Sequence, residues 1–77
     1  MANEFFKKVF FQNGYGVSVV SHKNSYGGAE GLFEVAVIDH EENLLYDTPI
    51  TGDVIGWLDF RDVADVMVKV KSLPKKE

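Results

Sequence analysis

Leu32-Phe33-Glu34-Val35-Ala36-Val37-Ile38 decides how this chain folds. It is an almost unbroken apolar run with β-branched residues at alternate positions, which reads as a strand. Phe33, Val35 and Val37 lie on one face. Leu32, Ala36 and Ile38 lie on the other. The run is preceded by Ser25-Tyr26-Gly27-Gly28-Ala29-Glu30-Gly31, a glycine-dense polar loop. Glycine there implies positive φ or a close approach to another surface. Loops held by rigid sheets are where binding residues tend to sit.

Upstream, Phe5 to Phe11 is aromatic and β-branched and suits a strand. Phe5, Val9 and Phe11 share one side and Phe6 and Phe10 the other. Asn13-Gly14 follows, a strong signal for a two-residue type I′ hairpin turn. Tyr15 to Ser21 is the returning strand. After Leu32 to Asp39 comes a polar turn, His40-Glu41-Glu42-Asn43, and Leu44-Leu45-Tyr46 reads as a short fourth strand. Asp47 to Asp53 contains Pro49 and reads as a loop or sheet edge. Val54-Ile55-Gly56-Trp57-Leu58 reads as an irregular strand. The lone tryptophan, Trp57, is expected to anchor the core, the alternative being an interface hot spot.

Asp59 opens the helix, with Asp62 completing an approximate capping box. Phe60, Val63, Met67 and Val70 make the apolar stripe, widened by Ala64 and Val66. Lys69 and Lys71 sit at the negative end of the helix dipole, and Leu73-Pro74 ends the helix. The expected fold is α+β: a small antiparallel sheet of four to five short strands with one C-terminal helix, about Phe60 to Leu73, packed on one face. Residues 1–77 form a single domain with flexible ends at 1–4 and 74–77. One helix cannot cover two apolar sheet faces, so Phe6, Phe10, Leu32, Ala36 and Ile38 predict a second interface.

Composition narrows the function classes. At 77 residues with no cysteine, the chain has no disulfide, thiolate zinc site or cysteine nucleophile. The net charge of -4 is unevenly spread. Residues 1–23 hold Lys7, Lys8 and Lys23 against Glu4. Residues 24–68 hold ten acids against Arg61, and the last nine residues hold four lysines against Glu77. An acidic middle repels phosphate and favours a partner with a basic patch. No apolar run approaches the ~20 residues of a membrane helix, and the start does not read as a signal peptide.

The candidate chemistry is sparse. The glycine loop leads into a strand rather than a helix and carries Glu30, which speaks against phosphate binding. His22 and His40 close opposite ends of a strand pair, roughly 23 Å apart for seven residues, too far to share a proton or metal. Asp39 to Glu42 lacks calcium-loop spacing. No catalytic pattern emerges, so the chain is expected to be a non-enzyme without a cofactor. Stacking of bases on Phe5, Phe6, Phe10, Phe11 and Tyr15 is opposed by the charge. The expected function is protein binding through Tyr26, Glu30, Glu41, Glu42 and Asp47. A self-associating assembly component, such as a homodimer, and a weak single-stranded nucleic-acid binder are the alternatives.

Tyr15-Gly16-Val17-Ser18-Val19-Val20, Ser25-Tyr26-Gly27-Gly28, Gly31 to Val37, Tyr46 to Ile50 and Asp53 to Leu58 together resemble a small uncharacterised family encoded by tailed bacteriophages and prophages. The resemblance covers roughly Lys8 to Leu73. It implies a life in the cytoplasm of an infected host bacterium and a host or phage protein as partner. It implies no activity, cofactor or binding residue.

Overall fold

In a computed structural model, which describes residues 4–50 and 54–76, four strands form one antiparallel meander. β1 is Phe5–Phe10, β2 Tyr15–Ser21, β3 Phe33–Asp39 and β4 Val54–Leu58, in the order β1-β2-β3-β4. The helix α1, Phe60–Lys71, packs on one face. The architecture is α+β, as the alternation of strands and the single capped helix predict.

The β1–β2 turn differs from expectation. Phe11 N donates to Tyr15 O at 2.8 Å and Gly14 N to Phe11 O at 3.4 Å. That is a three-residue loop, Gln12-Asn13-Gly14, in which only Gly14 takes positive φ, at 91°. A type I turn followed by a left-handed glycine is the next most common hairpin solution. Asn13 is thereby released for another task. Its Nδ2 donates to the carbonyls of Val70 at 2.9 Å, Leu73 at 3.1 Å and Lys71 at 3.2 Å, at the end of α1. Its own carbonyl accepts from Lys76 N at 2.7 Å. The hairpin therefore closes the helix C-terminus, where carbonyls lack intrahelical donors. The expected loose end at 74–77 is in this respect held at Lys76; residues 1–3 and 77 lie outside the described residues.

The core follows from pairing. Val17 stands opposite Val37 and Val19 opposite Val35, and all four are buried on the face that meets α1. Val66 and Val70 enter from the helix, with Val63 and Met67 at the margin. The stripe is thus rotated from the expected one, and Phe60 is 79% exposed. The reason is placement. The helix lies over β2, β3 and β4, which turns the Val66–Val70 line inward and the Phe60–Met67 line towards β1. The helix start is as expected. Asp62 N donates to Asp59 Oδ1 at 2.9 Å and Asp59 N to Asp62 Oδ2 at 3.2 Å.

Leu44-Leu45-Tyr46 is not a strand. Leu44 makes a single bridge to Ile38, and Leu45 N donates to Val37 O at 2.9 Å. Further pairing is blocked because Val54 of β4 occupies the edge of β3 at Ala36. The bridge still shelters the second sheet face in part, and Ile38 is buried there. Of the expected loop Asp47 to Asp53, residues 51–53 lie outside the described residues.

β4 is a strand with a bulge. Ile55 pairs with Val35 and Leu58 with Phe33, so Gly56 and Trp57 share the place opposite Glu34. Trp57 has φ 61° and is 59% exposed. It does not anchor the core. The β2–β3 loop docks into the bulge: Trp57 N donates to Tyr26 O at 3.2 Å, and Tyr26 N to Glu34 Oε1 at 3.1 Å. A Cβ on residue 56 would stand 2.3 Å from Tyr26 Cβ, so the contact requires glycine.

Candidate functional site

Because α1 sits over the later strands, the outer strand β1 keeps its helix-side residues uncovered. Phe5, Lys7 and Val9 form one wall of a groove, with Val19 and Phe33 as its floor. Phe60, Val63 and Met67 of α1 form the opposite wall. The cavity is about 250 Å³. The aromatic rings organise its open end. Phe33 meets Phe5 edge-on at 5.6 Å and Phe60 at 5.0 Å between ring centres. The helix adds Phe60, Ala64 and Val68, all exposed at four-residue spacing beside the groove.

Among the described residues the outer edge of β1 has no strand partner, and this free edge runs along the groove. Phe11 N bonds to β2, and antiparallel ladders alternate. Phe5, Lys7 and Val9 therefore bond inward to β2. Phe6, Lys8 and Phe10 turn their backbone N–H and C=O groups to the free edge. Such an edge is a template for another strand.

Charge on β1 is divided between its faces. Lys8 is paired with Glu42 across the open sheet face. Lys7, on the groove side, has no carboxylate partner among the described residues. Phe6 and Phe10, also on the open face, are braced by histidines. His22 stacks on Phe6 at 5.5 Å and His40 meets Phe10 edge-on at 5.6 Å. His40 Nε2 lies 2.7 Å from Phe11 O. A carbonyl only accepts, so that nitrogen carries the proton. The two histidines sit at opposite ends of the β2–β3 ladder, as their spacing implies.

The expected contact residues do not converge. Tyr26 and Glu30 lie on the β2–β3 connection, with Glu30 ending a short 3-10 turn, Gly28–Glu30. Glu41 and Glu42 lie on the turn after β3, at the far end of a seven-residue strand, roughly 20 Å away. Asp47 follows on the path towards β4. All five are exposed, and Glu42 is committed to Lys8. The acids at Asp39 to Glu42 do not build a metal cage. Asp39 Oδ1 accepts from Asn43 N at 2.9 Å and Glu41 N at 2.8 Å. Those donors, the Asn43 amide first, hold its carboxyl below the usual range. Among the described residues no three metal-ligating side chains cluster.

Sequence reasoning missed the groove because it assigned Phe60 to the core and weighed loops above strands. A signal was available. Phe60, Ala64 and Val68 extend the apolar arc of α1 beyond what one sheet contact needs. Among the described strands β1 pairs with β2 alone. No helix among the described residues is long and apolar enough to cross a membrane. Compared with known proteins, the chain matches no family model, no curated sequence and no solved structure.

Proposed function

We propose that this protein is a non-enzymatic binding module that takes an extended segment of a partner protein along β1. The observation that carries the reading is the apolar groove lying beside an unpaired strand edge. Main-chain bonds to the edge would supply affinity, and alternate side chains in the groove would supply selectivity. The resemblance to a phage-encoded family favours a partner inside an infected bacterium. Binding of a basic partner through Tyr26, Glu30, Glu41, Glu42 and Asp47 is less well supported, since these residues occupy separate regions. Self-association is the second reading, favoured by Phe6 and Phe10, which are 63% and 45% exposed next to the same edge.

Panning a fully random peptide library against the protein tests the reading. Phe60→Glu alters a residue that is mostly in solvent, so the fold is retained. It should weaken the recovered peptides about tenfold or more, the effect of placing a charge against an apolar contact. Tyr26→Ala should leave them unchanged. Peptides that are indifferent to Phe60→Glu and sensitive to Tyr26→Ala would move the binding surface to the β4 bulge.

A further inference from the structure

We infer that the segment accepted by β1 carries an acidic residue flanked at alternate positions by apolar ones, with the acid facing Lys7. The inference rests on the groove reading above and concerns the chemistry of the occupant. The β1 residues facing the groove are Phe5, Lys7 and Val9 in succession. A strand added to the edge places its residues directly opposite them on the same face. Apolar side chains complement Phe5 and Val9. A carboxylate complements Lys7.

Three features make the charge selective. Among the described residues Lys7 is the only charged side chain lining the groove, and none of them offers it a carboxylate partner. Lys8 is already paired with Glu42, so the second lysine does not compete for the incoming acid. The helix acids are turned elsewhere: at about 100° per residue, Asp62 and Asp65 point away from the Phe60–Met67 line. Glu4 borders the Phe5 end of this surface and disfavours an acid there. A lysine opposite Lys7 would place two like charges beside an apolar wall, which is destabilising.

A second copy of the chain fits less well. Symmetric antiparallel pairing of β1 with itself must keep faces matched. The two such registers that pair five of the six β1 residues put Lys7 opposite Lys7 of the other copy, or Lys8 opposite Lys8. Lysines on an edge strand are a recognised device against such pairing. Nucleic acid fits less well again, because an apolar groove does not complement phosphate and the net charge is -4.

Two peptide libraries test the inference. Both fix apolar residues at two alternate positions. One has Glu and the other Lys at the position between them, and all other positions are random. Panning should enrich binders from the Glu library, and converting their Glu to Lys should weaken binding about tenfold or more. Lys7→Glu should reverse the preference. On binding, the amides of Phe6, Lys8 and Phe10 should gain protection from hydrogen exchange. Equal enrichment from both libraries, with loss on Phe60→Glu, would overturn the acid inference and leave the groove reading intact. Binders that leave the β1 amides unprotected, or sedimentation showing a dimer that protects them without peptide, would overturn both.

Discussion

Asn13 joins the first hairpin to the end of the helix, and its replacement measures that joint. Its single amide group reaches three carbonyls, those of Val70, Lys71 and Leu73, but has only two hydrogens to give. Those two bonds, and the one its Oδ1 accepts from Tyr15 N, are all lost in Asn13→Ala, a loss of about 1.5–4.5 kcal/mol at a net ~0.5–1.5 kcal/mol each. Asn13→Asp preserves the shape and the Oδ1 that accepts from Tyr15 N at 3.1 Å. It nevertheless replaces the donor with a carboxylate oxygen among carbonyls at the negative end of the helix dipole. That repulsion adds ~0.3–1 kcal/mol. Asp should therefore cost about as much as Ala, although it is nearly isosteric with Asn. Equilibrium urea unfolding, with an unchanged denaturant slope, reads both losses. Salt should reduce the Asp loss and leave the Ala loss in place. If Asn13→Asp unfolds like the parent, the amide does not hold the helix end and the joint is wrongly assigned.

Two further perturbations probe the β4 bulge and the turn after β3. Trp57→Gly should cost less than about 1 kcal/mol, because relief of a positive φ offsets the added freedom of the unfolded chain; a loss of ~3–5 kcal/mol, typical of a core aromatic, would show that Trp57 is an anchor after all. Asp39 has a folded pKa held down chiefly by Asn43 N–H. Its contribution is therefore present above the unfolded carboxylate pKa and fades as pH falls through the folded one. Asp39→Asn should flatten that acid limb, and a parallel pH profile for the two proteins would refute the assignment.

What was legible in the chain was local. Phe5 to Phe11, Tyr15 to Ser21 and Leu32 to Asp39 announce themselves by runs of aromatic, β-branched and apolar residues between turn signals, and Asp59 with Asp62 announces the helix start by capping chemistry. Gly56 marks Val54 to Leu58 as an irregular strand, and the irregularity is a bulge. What was not legible depends on distant partners. Asn13-Gly14 allows two hairpin geometries, and the helix end that recruits the Asn13 side chain is 57 residues away. Leu44 to Tyr46 has strand composition but loses its place on β3 to Val54. Trp57 and Phe60 are large and apolar, which argues for burial only where room exists beneath the helix, and the valines have filled it. The groove escaped for the same reason: it is created by where the helix does not reach.

The distribution of aromatic side chains sets a limit on how the groove can work. Phe5, Phe6, Phe10, Tyr26, Tyr46, Trp57 and Phe60 are all exposed, while the core is mainly valine. Fully burying a phenylalanine is worth ~1.5–3 kcal/mol. Phe5 is 44% exposed and Phe60 79% exposed, so covering the remaining surface of both yields roughly 2–4 kcal/mol. Association costs an estimated ~4–15 kcal/mol in lost freedom. Covering these two rings alone therefore does not suffice for a stable complex. The balance comes from the apolar side chains of the ligand, from the backbone groups of Phe6, Lys8 and Phe10 along the edge and from Lys7. A ligand that fills the groove without adding a strand should accordingly bind weakly. A segment that pairs with β1 while carrying an acid opposite Lys7 uses every favourable feature this surface presents.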